Sequence, residues 1–328
     1  MNTWKCTKMV NDIQDVIDGR SLWCVAHSDA IDFLNKLPDD SIDLLFTSPP
    51  YEKCRTYGIG ERMVGGQAWV DWMVAVVSAA APKVRGLVAV NCEGQTRGYA
   101  YSCVPFLLVA DLHRAGFNLR KPVAFHRVGI PGSGGPDWLR NDWEPVVCVT
   151  RPGRLPWSDP TACGHPPKWA PGGEMSYRRG NGTRVNKWGS TMTGMRCRNV
   201  DGELRPMAES SRKAVRARNT PGGEGGEEEY DPPAIANPGN VLKFAVGGNL
   251  LGHTLAHENE APFPLALAEF FVRTFCPPGG VACDPFSGSG TTCHAAVGTG
   301  RRFVGCDVRE SQVDLVRRRM ATVTPPLF

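Results

Sequence analysis

The stretch that most constrains the fold is GGVACDPFSGSGTTCHAAVGTGRRFVGCDV, residues 279–308. A short apolar run ends in Asp284, a glycine-rich turn follows, Thr291 opens a helix, and a second apolar run ends at Asp307. This order predicts half of a nucleotide-binding α/β unit, whose ligand lies at the carboxyl ends of the strands. The glycines of the turn permit close approach of the backbone to that ligand. Asp307 is placed to bind ribose hydroxyls.

The rest of the chain alternates between the same two kinds of element. Continuous apolar runs predict buried parallel strands, and helix-like segments lie between them. Strands that alternate with helices predict an α/β fold with a doubly wound sheet. The predicted strands are residues 21–27, 42–48, 86–92, 121–128, 144–150, 280–286 and 302–308, and the predicted helices are residues 69–81, 104–115, 263–275, 291 to 298 or 300, and 311–321.

The residues around the glycine turn favour one class of ligand. A dinucleotide fingerprint needs glycine or alanine at its third position, where this chain has Cys293. Asp284 precedes the glycines, and a carboxylate there repels a pyrophosphate but attracts a cationic amino group. We therefore expect a nucleoside that carries an amine or a sulfonium, and S-adenosylmethionine fits that description. A nicotinamide-dependent oxidoreductase is the less favoured alternative.

A second motif gives the glycine turn its context. DPFSGSGTT (284–292) together with TSPPY (47–51) resembles the DNA amino-methyltransferases. Because TSPPY comes first and the glycine motif last, the chain is similar to the β group of that family. The resemblance implies a Rossmann-like methyltransferase sheet with permuted motif order and S-adenosylmethionine as cofactor. It covers roughly residues 20–150 and 240–321, and predicts domains at 1–154, 155–240 and 241–328, the middle one a basic target-recognition insertion.

The predicted cofactor site comes from the two motifs and from two further segments that resemble parts of the family, HSDA (27–30) and HENEAPFPLALAEFFV (257–272). Asp29 is similar to the acidic position that contacts the cofactor adenine, although it could instead be the N-cap of a helix that begins at Ala30. The full set is Asp29, Ala30, Thr47, His257, Pro262, Phe263, Asp284, Pro285, Phe286, Ser287, Gly288, Ser289, Gly290, Thr291, Thr292 and Asp307.

The TSPPY turn is the predicted catalytic segment. An exocyclic base nitrogen is a poor nucleophile, so its two hydrogens must be held by acceptors, here Ser48 Oγ and the Pro49 carbonyl. Pro49 and Pro50 fix the turn, and Tyr51 offers a ring on which a flipped base stacks. Adenine N6 and cytosine N4 both stay open as targets. Methylation at carbon 5 is disfavoured because no cysteine stands in a Pro-Cys setting.

The predicted insertion concentrates positive charge. Residues 151–220 hold 14 Lys and Arg against five acidic residues. Aromatic residues lie among them, as in a surface that meets a polyanion and stacked bases; a plain linker is the alternative. The aromatic residues are Trp157, Trp169, Tyr177 and Trp188. The predicted DNA-binding residues are Lys168, Arg178, Arg179, Arg184, Lys187, Arg196 and Arg198.

Composition sets the remaining expectations. The chain has 328 residues and a net charge of +4, with no apolar run of roughly 20 residues and no signal-peptide core. We expect a cytoplasmic, nucleoid-associated protein of a bacterium or phage. The 12 cysteines read as reduced thiols, and Cys163, His165 and Cys197 lack the paired spacing of a metal site. Double-stranded DNA is the expected partner, with a homodimer and a cognate restriction nuclease, or none, implied by the resemblance. The same chemistry on RNA or a protein amide is the alternative.

Overall fold

A computed structural model gives the fold of the chain. It describes residues 12–52, 65–129, 134–137, 139–165, 235–246, 253–259 and 261–326, and the backbone of 177–178 and 184–185. The chain divides into two compact units, of which the first is Met1–Cys163 with Gly239–Phe328 and the second is Gly164–Pro238. The domain boundaries predicted from the sequence stay a prediction.

Eight strands of the first unit form one sheet. In chain order they are β1 (Trp23–His27), β2 (Ile42–Thr47), β3 (Val84–Asn91), β4 (Asn118–Val128), β5 (Trp143–Thr150), β6 (Val241–Ala245), β7 (Val281–Asp284) and β8 (Arg302–Asp307). Their spatial order is β1-β8-β7-β2-β3-β5-β4-β6. The two strands that flank the glycine turn, β7 and β8, therefore lie between β1 and β2.

Helices cover both faces of this sheet. They are α1 (Ala30–Leu34), α2 (Gln67–Ala80), α3 (Val104–Arg114), α4 (Leu265–Phe275), α5 (Thr291–Gly298) and α6 (Glu310–Met320), with a 3₁₀ helix at Thr254–Glu258. Residues 12–17 are also helical. Among the described residues, no helix combines the length and the apolarity needed to cross a membrane.

Two hydrophobic cores follow from the alternation of side chains along the strands. Leu45 of β2 packs on one face with α2 and α3, whereas Leu44 and Phe46 pack on the other face with α4, α5 and α6. Phe46 stacks on Phe271 of α4 with ring centroids 4.5 Å apart. Burial on both faces explains why β2 is apolar along almost its whole length. This three-layer arrangement confirms the predicted α/β doubly wound class.

The structure corrects two features of the predicted sheet. The sequence predicts a parallel strand at β5, but β5 pairs antiparallel with both β3 and β4. The prediction lacks β6, which extends the sheet parallel to β4. VLKFA has only five residues and its burial alternates weakly, so its sequence carries little strand signal.

The described part of the second unit is small. His165 and Ala236 form an antiparallel bridge, with His165 N–H donating to Ala236 O at 3.3 Å and Ala236 N–H donating to His165 O at 2.9 Å. Tyr177–Arg178 pairs with Arg184–Val185, so the backbones of Arg178 and Arg184 lie opposite each other. Five predicted DNA-binding residues lie outside the described residues: Lys168, Arg179, Lys187, Arg196 and Arg198.

Candidate active site

A cavity of about 850 Å³ opens at the carboxyl ends of the central strands. Ser48 lines it just after β2, Asn91 at the end of β3, Pro285 just after β7 and Asp307 at the end of β8. Parallel strands end at the same edge of a sheet, so residues distant in sequence converge there. The cavity therefore joins the glycine turn and the TSPPY turn.

The glycine-turn side of the cavity presents carboxylates held by backbone donors. Asp307 accepts hydrogen bonds from the backbone N–H of Gly288 at 3.0 Å and of Arg309 at 2.9 Å. Gly288 has a φ of 48°, and a Cβ there would meet Asn259 Nδ2 at 2.9 Å. Asp29 also lines the cavity, and its Oδ1 accepts from Ile31 N–H at 2.9 Å as the N-cap of α1. The cofactor role and the capping role of Asp29 are thus compatible.

Asp284 is 1% exposed and is not on the cavity wall. Its Oδ1 accepts from Thr47 Oγ1 at 2.6 Å and from Phe286 N–H at 3.0 Å, and its Oδ2 accepts from Thr292 Oγ1 at 2.8 Å. Burial raises the pKa of this carboxyl to about 6, against the lowering effect of these hydrogen bonds. Asp284, which is 237 residues from Thr47 in sequence, therefore ties the end of β2 to the first turn of α5.

The TSPPY turn is fixed from both sides. Trp69 Nε1 of α2 donates to the Pro50 carbonyl at 2.8 Å. Ser48 Oγ lies 3.3 Å from Tyr51 Oη, as a donor to it, and Tyr51 Oη donates to Glu144 Oε2 at 2.7 Å. A serine that donates its proton to Tyr51 keeps its oxygen lone pairs available as acceptors.

Asn91 and Glu144 hold the Tyr51 hydroxyl, and Arg127 pairs with Glu144. Asn91 Nδ2 donates to Tyr51 Oη at 2.8 Å and to Glu144 Oε2 at 2.7 Å. Arg127 Nη1 lies 3.0 Å from Glu144 Oε1. Burial, together with the Glu144 charge, raises the pKa of Tyr51 well above its usual range, so the phenol stays protonated as a donor. We call Tyr51, Asn91, Arg127 and Glu144 the polar cluster.

Comparison with known proteins identifies the family. A family model named N6_N4_Mtase and described as DNA methylase matches residues 42–318. The chain belongs to this family. The match confirms the resemblance that TSPPY and DPFSGSGTT carry.

This DNA methylase resembles curated and solved proteins along most of its length. DNA adenine methyltransferase YhdJ of Escherichia coli is 22% identical over 309 residues, which are 92% of this chain and 84% of YhdJ. Type II methyltransferase M.SfiI of Streptomyces fimbriatus is 24% identical and spans 86% of this chain and 87% of its own. The solved PvuII DNA methyltransferase (cytosine-N4-specific) has a TM-score of 0.58 at 18% identity, covering 91% of this chain and 86% of its own. TTHA0409 of Thermus thermophilus, solved as a complex with S-adenosyl-L-methionine, has a TM-score of 0.51 at 20% identity, covering 93% of this chain and 95% of its own.

The cavity of the DNA methylase contains 12 of the residues predicted from the sequence. Ser48, Pro49, Pro50 and Tyr51 all line it, as do Asp29, Ala30, Pro262, Phe263, Pro285, Phe286, Gly288 and Asp307. The structure leaves eight others off the wall: Thr47, His257, Asp284, Ser287, Ser289, Gly290, Thr291 and Thr292. His257 is exposed on the 3₁₀ helix, and the other seven are buried, because they pack under the two turns rather than over the cavity.

The sequence prediction misses several cavity residues of the DNA methylase. Asn91 is the last residue but one of the predicted strand 86–92, and a polar residue near the carboxyl end of a buried strand is a signal that could have found it. Arg127 and Glu144 meet only because β4 and β5 are in register, with Phe125 opposite Glu144. Their ion pair joins Arg127 Nη1 to Glu144 Oε1. Other missed residues are Trp72, Glu93, Asn141, Asn259 and Arg309.

Proposed function

We propose that this DNA methylase transfers a methyl group from S-adenosylmethionine to the exocyclic amine of a base flipped out of duplex DNA, at adenine N6 or cytosine N4. The observation that carries the proposal is the single cavity that holds both Ser48 to Tyr51 and the Gly288–Asp307 pair. A reaction between a cofactor and a base needs both to meet at one point. The family match supports DNA as the substrate.

The glycine-turn side suits S-adenosylmethionine. Gly288 lines the cavity and lets Asn259 pack close to the backbone of the turn. Asp307, already oriented by two backbone N–H groups, keeps lone pairs for ribose hydroxyls. Phe286 and Trp72 contact each other edge to face at 5.3 Å and give this side an apolar wall. When bound, the cofactor supplies a methyl group on a sulfonium. The complex of TTHA0409 with the same molecule supports this choice.

The TSPPY turn holds the amine. In our proposal Ser48 Oγ and the Pro49 carbonyl accept the two amine hydrogens, which lets the nitrogen become more tetrahedral as it attacks the methyl group. The Trp69 hydrogen bond and the two prolines fix these acceptors before the reaction, so little reorganisation is needed. The proton leaves to water after transfer. No described cysteine lines the cavity, which agrees with a reaction that needs no covalent intermediate.

The proposal keeps two candidate target bases, adenine and cytosine. Relatives of both kinds resemble the chain, since YhdJ is an adenine methyltransferase and the PvuII enzyme is cytosine-N4-specific. Serine can accept a hydrogen bond from either amine. The type II name of M.SfiI supports pairing with a restriction nuclease, and a homodimer stays a prediction.

Mass spectrometry of nucleosides tests the proposal and decides the base. Unmethylated genomic DNA, total RNA and a peptide mixture are each incubated with the protein and with S-adenosylmethionine tritiated on its methyl group. We expect label in DNA alone, and N6-methyladenine or N4-methylcytosine in its digest. Label in RNA or peptide but not in DNA, or 5-methylcytosine in the digest, would contradict the proposal. Methylation-aware sequencing of the same DNA then gives the recognition site.

A further inference from the structure

A short hairpin leaves the cavity wall directly after β3. Thr96–Arg97 pairs antiparallel with Ala100–Tyr101, and all residues of 96–101 are exposed. The two turn residues, Gly98 and Tyr99, have φ values of 53° and 64°. A two-residue turn with both φ values positive is a type I′ turn, in which Asn, Asp and Gly are the usual residues.

Tyr99 is unusual at the tip of this hairpin. Its side chain is 74% exposed, and its backbone is in the left-handed region, which is unfavourable for a bulky residue. The preference of this turn type for Asn, Asp and Gly does not explain a tyrosine there. Backbone strain at an exposed position concentrates at sites that bind or react.

The base of the hairpin is attached to the TSPPY side of the cavity. Tyr101 Oη donates to Glu93 Oε1 at 2.6 Å, and Glu93 and Gly94 both line the cavity. A Cβ at Gly94 would meet the Tyr101 ring at 2.8 Å, so the ring lies directly on this rim. Gln95 N–H donates to Glu52 Oε1 at 3.3 Å, and Glu52 follows Tyr51.

The hairpin is long enough for its tip to reach into a DNA groove. Tyr99 is five residues beyond Gly94, and at about 3.3 Å per residue the tip extends up to roughly 16 Å from the rim. The major groove is about 8.5 Å deep. A tip of this reach can touch the base stack while the rim lies at the surface of the duplex.

We propose that Tyr99 is a wedge that enters duplex DNA at the position vacated by the flipped base. The inference rests on the proposed function. Its ring would stack on the neighbouring bases and so offset part of the cost of extruding the target base. Arg97, two residues before Tyr99 on the exposed hairpin, places a positive charge near the phosphates.

The test compares DNA in which flipping is costly with DNA in which it is cheap. Both probes are duplex oligonucleotides with the recognition site found by methylation-aware sequencing; in one the target base is paired, in the other it faces an abasic position. Tyr99→Asn is the main variant, because asparagine suits the left-handed backbone and lacks the aromatic ring. Tyr99→Trp restores an aromatic ring. Leu22→Ala, at an exposed leucine before β1, is the control.

We expect Tyr99→Asn to lower kcat/KM at least tenfold on the paired duplex and less than twofold on the duplex with the abasic position. Tyr99→Trp should keep most of the wild-type kcat/KM on the paired duplex, and Leu22→Ala should match the wild type on both probes. Wild-type kcat/KM for Tyr99→Asn on the paired duplex, or an equal loss on both probes, would overturn the wedge while the proposed function stands. If the wild type methylates no DNA, that result contradicts the proposed function and therefore also the wedge.

Discussion

At the scale of single residues, the orientation of the Ser48 hydroxyl depends on the side chains of Tyr51, Asn91 and Glu144. The Ser48 hydroxyl points its proton toward Tyr51, and Tyr51 is held by Asn91 and Glu144. The chain of donors ends on a carboxylate, so each hydroxyl in it is directed the same way. Ser48 is left with its lone pairs as acceptors for the amine.

Substitutions at Ser48 and Tyr51 test this orientation. Ser48→Ala removes one acceptor of a preorganised site, for which losses of about 100-fold in kcat are typical. Tyr51→Phe keeps the ring and removes only the hydroxyl that orients Ser48, so we expect a smaller loss, about tenfold. Both variants should bind S-adenosylmethionine within about twofold of the wild type by calorimetry. An unchanged kcat in Ser48→Ala would contradict the role of Ser48 as an acceptor for the amine.

Asp284 predicts a pH dependence of stability. Its pKa is raised to about 6 from 3.8, mainly by burial. Between those values the folded chain keeps a proton that the unfolded chain has released, so the free energy of unfolding falls as the pH rises through this window. The contribution of Asp284 to stability is fully present below about pH 3.8 and lost above about pH 6. Across this window the free energy of unfolding falls by about 3 kcal/mol.

Asp284→Asn removes this titration. We expect the difference in Tm, wild type minus variant, to decrease from pH 4 to pH 7 in thermal unfolding followed by circular dichroism. Asp32→Asn, at an exposed aspartate of α1, is the matched control. A difference for Asp284→Asn that stays constant with pH would show that the carboxyl is not held in its neutral form by burial.

At the scale of elements, the glycine turn works because it packs against the 3₁₀ helix. Gly288 has a left-handed backbone, and Asn259 at the end of the 3₁₀ helix fills the space where a Cβ would project. Gly116, just after α3, has a comparable φ of 84° but no atom within 4 Å of its Cβ position. A comparison of the two glycines therefore distinguishes the effect of backbone strain, which both positions share, from the effect of the contact with Asn259, which only Gly288 makes.

Gly288→Ala and Gly116→Ala form a matched pair. Both carry the strain of alanine at a positive φ, and only the first displaces Asn259 at the cofactor side. We expect the Kd for S-adenosylmethionine to rise at least tenfold in Gly288→Ala and to stay within twofold in Gly116→Ala, by isothermal titration calorimetry. Equal effects in the two variants would assign the loss to strain alone.

At the scale of the whole molecule, the described residues that line the cavity all belong to the first compact unit. The bridge between His165 and Ala236 brings the ends of that segment side by side in an antiparallel pair. Because a two-residue turn can join such a pair, residues 166–235 can be replaced by Asn-Gly.

This replacement tests the predicted insertion. Removing the basic segment takes away the cations that we assign to phosphate contacts. We expect the shortened chain to bind S-adenosylmethionine within about threefold of the wild type and to lose site-specific methylation, measured by methylation-aware sequencing. Methylation of the same sites by the shortened chain would contradict the insertion as the recognition element.

The sequence predicted the positions of the two turns better than it predicted the side chains around them. TSPPY and DPFSGSGTT each follow an apolar strand, and the chain-local pattern of strand, turn and helix is enough to put both at one edge of a parallel sheet. The sequence therefore determined the fold class, the family and the cavity residues that belong to the turns themselves.

Only the tertiary structure decided which side chains face the cavity and which lie under it. The sequence places Asp284 at the surface of the site, but Thr47 and Thr292, from elements 237 and eight residues away, enclose it. Arg127 and Glu144 meet through the register of two antiparallel strands. Burial and strand register depend on packing between segments distant in the chain, and alternation along a single strand specifies neither.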